Sequence, residues 1–471
     1  MPRPAAGDRP RVSGSALAAV PARGVLLLLV ALAPGGRASA TTIEIGPGDD
    51  LQAAVDALNP GDELVLRGGT YLLTSRFSIQ AVGTPTRPIV VRAKDGETPV
   101  VQYVDGSQNV INVENAAHLV LRGLAVTGGS HGIRISASNF VTVERCHVHD
   151  VADVGISANV PGSDYRGLRL LGNEIDHTGG TAEGMYLGCN SDACRMHDSR
   201  IAGNHIHHTN GPGVTQGDGI EIKEGSYANT VADNVIHDTG YPCIITYGAV
   251  GHGGPNVLER NLLWACGDHA IQSAADAVIR NNLILGAVND GIRDQPHQAG
   301  APANLVIEHN TVLDAAHNAL RASGIVGSIV IANNALYAPN GYAIWLDGAT
   351  GGATVAGNVG DGATMNVAGG FDGAGDAALD LADADYGGAP PADLFPVDGS
   401  RLVAAGSAAY PLADDFNGTP RADTHDAGAY RWQAGGNPGW PLQAGFKPAV
   451  ELFADGFEGG NVAAWSAVVA P

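Results

Sequence analysis

From residue 139 to residue 360 one pattern of apolar and polar positions returns about nine times. A strand-like run ends in Asn, an apolar residue follows two places on, and a turn leads into a Gly-Ile-x-Ile-like strand. The Asn positions are Asn173, Asn204, Asn234, Asn261, Asn282, Asn310, Asn334 and Asn358, and Cys146 takes the same place in the first copy. A second series keeps step: GIRI at 132, GISA at 155, GMYL at 184, GIEI at 219, AIQS at 270, GIRD at 291, ALRA at 319 and AIWL at 343. A period of 21 to 31 residues between the Asn positions, with two short strands per copy, marks a β-solenoid.

The pattern predicts an all-β chain: a single-stranded, right-handed parallel β-helix of about nine to eleven coils. Alternate apolar residues of each short strand fill the tube. Asn is expected at the inward turn because it tolerates the left-handed conformation and because its amide can pair with the Asn of neighbouring coils. Nine coils about 4.8 Å apart give a rod roughly 43 Å long. Leu51, Ala54, Val55 and Leu58 have helical spacing, with Asp49 or Asp50 able to cap. That helix would plug the open N-terminal end of the tube, covering its bare edges.

The termini add an address. Residues 25–33 (VLLLLVALA) follow Arg23, and Ala38-Ser39-Ala40 supplies small residues at a cleavage position. Residues 1–40 therefore read as a secretory signal, too short in its apolar part to span a membrane. The expected order is then a cap with the first coils over 41–100, repeats over 101–360, a closing wrap over 361–433, and a linker with a tail over 434–471. Net charge of −22 argues against nucleic-acid and anionic-membrane partners. A polyanionic ligand would need a cation or a local basic cleft. The expected protein is a secreted monomer acting on polysaccharide. Cys189 and Cys194 bracket a four-residue loop and could close a disulfide. Cys243 and Cys266 lie one coil apart and form a second candidate pair. Cys146 is expected as a buried apolar filler.

The N-terminal order of helix, Pro-Gly-Asp turn at 60–62, strand, Gly-Thr-Tyr at 69–71 and GTPTRPIVVRA at 83–93 resembles secreted β-helix polysaccharide lyases, the chondroitinase B and alginate lyase group. Asp415, Gly418, Arg421, Asp426, Gly428, Ala429 and Tyr430 resemble the closing segment of many bacterial β-helix proteins. LFADGFEGGNVAAWS at 452–466 resembles a tail on secreted proteins of some Gram-negative bacteria, where it would serve sorting or attachment.

Chemistry in a β-helix is read across coils. Aligning the Gly-Ile-x-Ile strands places Arg134, Ser157, Tyr186, Glu221, Ile245, Gln272, Arg293, Arg321 and Trp345 in one outward column. A second column carries Lys223 beside Tyr247, and a third, at the strand entrance, carries Glu183, Asp218, His269 and Asp290. The densest cluster is Asp218-Gly-Ile-Glu221-Ile-Lys223-Glu224. The chain has only three Lys (Lys94, Lys223 and Lys447) against 23 Arg, so a Lys in mid-strand is informative. Arg cannot give up its proton, whereas Lys can when its neighbours shift it.

That set suits β-elimination of a uronic acid polymer, as the lyase resemblance implies. Lys223 is the candidate base, and Tyr186 or Tyr247 the acid that protonates the leaving oxygen. Asp218, Glu221 and Glu183 are candidate ligands for Ca²⁺. Arg293, Arg321, His269 and Gln272 are candidate substrate-binding residues. The group's own catalytic set does not transfer. There the Lys follows the second Glu by five places, whereas Glu221 and Lys223 are two apart and Gly225 stands where that Lys would align. Arg260 does not match the group's catalytic Arg position. The alternatives are an exposed ion-pair ladder of Glu221, Lys223 and Glu224, and for the whole chain a glycoside hydrolase on the same fold or a noncatalytic glycan-binding surface rod. A second cluster, Asp290 to His297, is expected as an outward surface ladder, with extension of a substrate groove as the other possibility. The His-rich turns are expected to stack imidazoles beside the Asn column, with metal binding as the other possibility. Gly251-His252-Gly253 is expected to carry no hydrolase chemistry.

Overall fold

The computed structural model describes residues 40–448, apart from positions 349, 391 and 423. The signal-like segment and the C-terminal tail motif lie outside the described residues. The chain climbs as a parallel solenoid with three sheets. The first sheet stacks thirteen strands from Thr42–Ile45 to Ala353–Ala356. The second runs through His147–Val151, Glu174–Thr178, His205–His207, Val235–Thr239 and Leu262–Cys266. The third runs through Ile156–Ala158, Met185–Leu187, Ile220–Ile222, Ile244–Thr246 and Ile271–Ser273. Parallel strands separated by one coil cannot pair through a hairpin, so each coil must travel the full circuit before it meets its neighbour.

The asparagine column forms as the spacing predicts. Asn173, Asn204, Asn234, Asn261, Asn282, Asn310 and Asn334 are fully buried, and each Nδ2 donates to the next Asn Oδ1 at 2.9–3.0 Å, the final step to Asn358 being 2.8 Å. Each also donates to a carbonyl one coil back, as Asn204 does to Leu170 O at 3.0 Å. The left-handed position is not the Asn, however. It is the residue before it: Arg145, Gly172, Gly203, Asp233, Arg260, Asn281, His309, Asn333 and Gly357 all have φ between 52° and 64°. Asn is selected by the amide ladder alone. A second, shorter ladder at another corner, through Ser199, Asn229 and Asn256, was not foreseen.

The Gly of the Gly-Ile strands has a steric cause. A Cβ on Gly184 would lie 2.7 Å from Gly219 O and 2.6 Å from Ile206 Cγ2. At the N-terminal end the helix is Leu51–Asp56, shorter than the apolar spacing to Leu58 suggested. Asp50 caps it by accepting from Ala53 N at 3.0 Å, and Leu51 and Val55 enter the core.

The C-terminal segment covers the outer face of the second sheet. Leu394, Phe395, Phe416 and Tyr430 pack on Trp264, Leu285, Leu313 and Tyr337. This explains why that face changes along the rod from His149, Asp176, His207 and His237 to apolar residues in the same column. The segment also grips five successive left-handed turn residues. Lys447 Nζ donates to Asp233 Oδ1 at 2.9 Å and Arg260 O at 3.0 Å. Arg421 Nη2 donates to Asn281 Oδ1 at 3.0 Å, His309 Nε2 lies 3.2 Å from Tyr410 O, and Asn333 Nδ2 donates to Ser407 O at 3.1 Å. Both expected disulfides form, Cys189–Cys194 and Cys243–Cys266, and Cys146 is free and buried. No described helix is long and apolar enough to cross a membrane.

Asp294 corrects the outward cluster expected over 290–297. Its neighbour Arg293 points outward, but Asp294 points into the tube, in register with Ser273 and Ala322. It is fully buried, and neither carboxyl oxygen has a partner among the described residues. Burial pushes its pKa up to about 8. The unfolded carboxyl, near 3.9, ionises first. Between these values the unfolded chain binds fewer protons than the folded one, so this group costs stability as pH rises from about 4 to 8. Asp294→Asn removes the titration. The stability gap between variant and parent is expected to grow in the variant's favour by roughly 2–3 kcal/mol from pH 5 to pH 7. Urea unfolding at both pH values checks this, and a constant gap would refute it.

Candidate active site

The strand Ile220–Ile222 sits in the third sheet with both isoleucines in the core and Glu221 facing outward. Its register is the one read from sequence: Tyr186, Glu221, Ile245, Gln272, Arg293, Arg321 and Trp345 are successive partners. Strand alternation returns Lys223 to the outer face. Its backbone N–H still bonds Leu187 O at 2.8 Å.

Lys223 Nζ lies 2.5 Å from Glu221 Oε1 and 3.4 Å from the Tyr247 hydroxyl, which itself donates to Glu221 Oε1 at 2.8 Å. The ammonium stands 4.9 Å from the Tyr186 ring centroid and 4.6 Å from that of Tyr247, a cation held between two aromatic faces. Glu221, Lys223 and Glu224 are 2–4% exposed, so the exposed ion-pair ladder is excluded. They are outward from the tube yet covered by neighbouring coils and loops.

Glu183, Asp218 and Glu221 come together, each offering a carboxylate oxygen within 4.8 Å of the others. Glu183 Oε1 and Glu221 Oε2 are buried without a partner among the described residues. Burial, then the charges of Glu221 and Glu183, push Asp218 well above the usual carboxylate range, and burial raises Glu183 too. Burial and the Glu221 charge likewise raise both tyrosine phenols.

Asp218, Glu221, Lys223 and Tyr247 line a cavity of about 350 Å³, with Glu183 and Tyr186 behind its wall. Gln272 lines it. Arg293, Arg321 and His269 lie further along the sheet and do not touch Lys223. Arg293 donates to Gln295 Oε1 at 3.0 Å and Ser323 Oγ at 3.1 Å. Arg321 pairs with Asp347 at 2.8 Å and lies 3.8 Å over the Trp345 ring. His269 Nδ1 accepts from Asp290 N at 3.1 Å. Sequence reasoning missed the loop residues on the cavity wall, Asn190, Gln216, Tyr241 and Gln298, and saw no role there for His297. The Cys189–Cys194 loop was the available signal, since the disulfide fixes the loop that carries Asn190. His297 stands 4.9 Å from the Tyr247 ring. His252 is used structurally, bonded to Asp192 at 2.6 Å.

A family model described as a Pel9A-like right-handed beta helix region matches residues 30–250, and one described as a right handed beta helix region matches residues 215–359. No curated protein matches the chain significantly. Pectate lyase Pel9A is similar in structure, with TM-score 0.56 at 15% identity, covering 84% of this chain and 98% of that one. XylC in complex with xylose gives 0.58 at 10% identity, covering 84% and 99%. The alginate lyase AlyGC gives 0.48 at 16%, covering 83% and 59%. At these identities the likeness is one of fold. From its strand order, its asparagine ladder, the two family-model matches and the likeness to Pel9A, the chain is a right-handed parallel β-helix of the pectate-lyase-like superfold.

Proposed function

We propose that this chain is a polysaccharide lyase that cleaves an acidic, uronic acid polymer by β-elimination. The observation that carries this is Lys223, a mid-strand lysine in an arginine-using chain, held between two tyrosines at a cavity beside three carboxylates. As the free amine, Lys223 takes the proton from C5 of the uronate and becomes the ammonium that Glu221 then neutralises. The freed electron pair becomes the C4–C5 double bond, and the C4–oxygen bond breaks. Tyr186 is the better placed acid for the leaving oxygen. Its hydroxyl reaches only Asn190 Oδ1, at 3.3 Å, whereas that of Tyr247 is committed to Glu221. Its raised pKa keeps the proton in place until the leaving oxygen demands it. Gln272 borders the bound sugar, while His269, Arg293 and Arg321 serve uronates further along the polymer.

The three carboxylates fit Ca²⁺. Their spacing suits a hard cation with bonds of about 2.3–2.6 Å, and two of their buried oxygens lack any other partner. Glu183, Asp218 and Glu221 would hold it, and when bound it would offset the substrate carboxylate and so acidify the C5 proton. The two disulfides suit an exported protein, and the signal-like N-terminus agrees. The protein is read as a secreted monomer.

A panel of alginate, pectate and glycosaminoglycans tests the reading. One polymer is expected to give rising far-ultraviolet absorbance from the conjugated product, suppressed by chelator. No rise with any polymer, with or without Ca²⁺, sinks the lyase. One observation favours hydrolysis as a second reading: Asp218 and Glu183 are pushed toward keeping a proton, as a glycosidase acid requires. Hydrolysis would release reducing ends without the absorbance.

A further inference from the structure

The second sheet carries a different cluster, unused by the chemistry above. His147, Glu174 and His205 are register partners in one outward column, and Asp176, His207 and His237 in the next. The rings stack as expected, His207 on His237 at 5.2 Å and His237 on Trp264 at 4.1 Å. Stacking does not account for the hydrogen bonds.

His237 Nδ1 lies 2.6 Å from Asp238 Oδ2. A carboxylate oxygen only accepts, so that nitrogen carries the hydrogen and His237 Nε2 carries a lone pair. His205 Nε2 lies 2.9 Å from His237 Nε2 and must be the donor. In a neutral ring the lone pair of His205 is then on Nδ1, and Nδ1 faces Glu174 Oε1 at 3.5 Å. Two acceptors then confront each other, on the half-buried carboxylate of Glu174 and the buried ring of His205. The same carboxylate oxygen lies 3.4 Å from His207 Nε2.

A tetrahedral metal with bonds of about 2.0–2.1 Å sets its ligand atoms roughly 3.3–3.4 Å apart. The two edges from Glu174 Oε1 to the imidazole nitrogens, 3.4 and 3.5 Å, have that length, and all three ligand atoms lie within 4.8 Å of one another. We propose that Glu174, His205 and His207 bind a borderline transition-metal dication of the Zn²⁺ class, with His237 and Asp238 as the outer hydrogen-bonded pair that orients His205. Imidazole nitrogen favours such an ion over Ca²⁺. Glu174 also borders a cavity of about 620 Å³, so that its carboxylate is within reach of water. The adjoining grouping of His147, Glu174 and Asp176 is a weaker candidate, because Asp176 is already bonded by His147 at 2.6 Å and by His177.

The test uses untagged, chelator-stripped full-length protein titrated calorimetrically with Zn²⁺. One site is expected, and Co²⁺ in its place should give the strong visible absorption of a tetrahedral centre. Glu174→Gln and His205→Ala are expected to abolish binding. His237→Ala, which removes only the orienting partner, should weaken it roughly 10–100-fold. His147→Ala and Asp218→Asn should leave it unchanged. Circular dichroism melting confirms folding, and Glu174→Gln, nearly isosteric, decides if His205→Ala fails to fold. Absence of Zn²⁺ binding by the parent, unchanged affinity in Glu174→Gln, or loss of binding in Asp218→Asn would each overturn the proposal.

Discussion

Lys223→Ala is expected to lower kcat by roughly 10²- to 10⁴-fold on whichever polymer the parent cleaves, the range for loss of a positioned proton-transfer group. Lys223→Arg should be nearly as damaging, because guanidinium keeps its proton at working pH. If the arginine variant retains most activity, Lys223 binds charge and transfers no proton. Stability must be followed in parallel. Lys223 is buried against Glu221, so the alanine variant leaves an uncompensated carboxylate and should melt at lower temperature. The double variant Lys223→Ala/Glu221→Gln removes that charge and should recover stability without recovering turnover. Recovery of turnover together with stability would show that the single variant failed through folding.

Asn261→Leu is expected to cost on the order of 4–5 kcal/mol. Asn261 Nδ2 donates to Val231 O at 3.0 Å and Asn282 Oδ1 at 2.9 Å, while its Oδ1 accepts both N–H groups offered by Asn234, at 3.1 and 2.9 Å. Leucine breaks all four and leaves buried donors with no water to turn to, each costing about 1–3 kcal/mol before the neighbours relax. Urea unfolding midpoints measure it. A loss below about 1 kcal/mol would mean that the column is ornamental and that sheet hydrogen bonds alone hold the register.

The parts of the molecule that repeat were legible in the sequence, because repetition reports its own alignment. The Asn column, the partner series from Tyr186 to Trp345 and the meeting of Glu183, Asp218 and Glu221 all follow once one register is fixed. What a residue does within its coil was less legible. Asn173 and its equivalents look suited to the left-handed turn, yet the residue before each one takes it. The chemical identity of that position varies from Arg to Gly to His, so no pattern advertises it. Asp294 was read as part of an outward cluster because a charged residue is assumed to face water, whereas strand alternation turns it inward. The cavity wall was hidden for a different reason. Asn190 and Gln298 sit on loops of unrelated length, 108 positions apart, and line the same cavity. Only the tertiary path brings them together.

The grip of the C-terminal segment on five successive turns bears on how the rod comes apart. A bare stack of coils behaves as a one-dimensional array, each coil stabilised by its two neighbours and free to fray from the ends. Lys447 fastens the turns of Asp233 and Arg260, Arg421 that of Asn281, and Tyr410 and Ser407 those of His309 and Asn333. These ties span up to 214 residues of sequence. They convert the C-terminal half of the array into a block that must open as a unit, while the turns before Asn204 carry none of these ties. Hydrogen exchange should therefore divide the rod in two, with graded protection below that point and one shared opening energy above it. Because the fastening residues are synthesised last, the block can lock only after every coil it spans is in place.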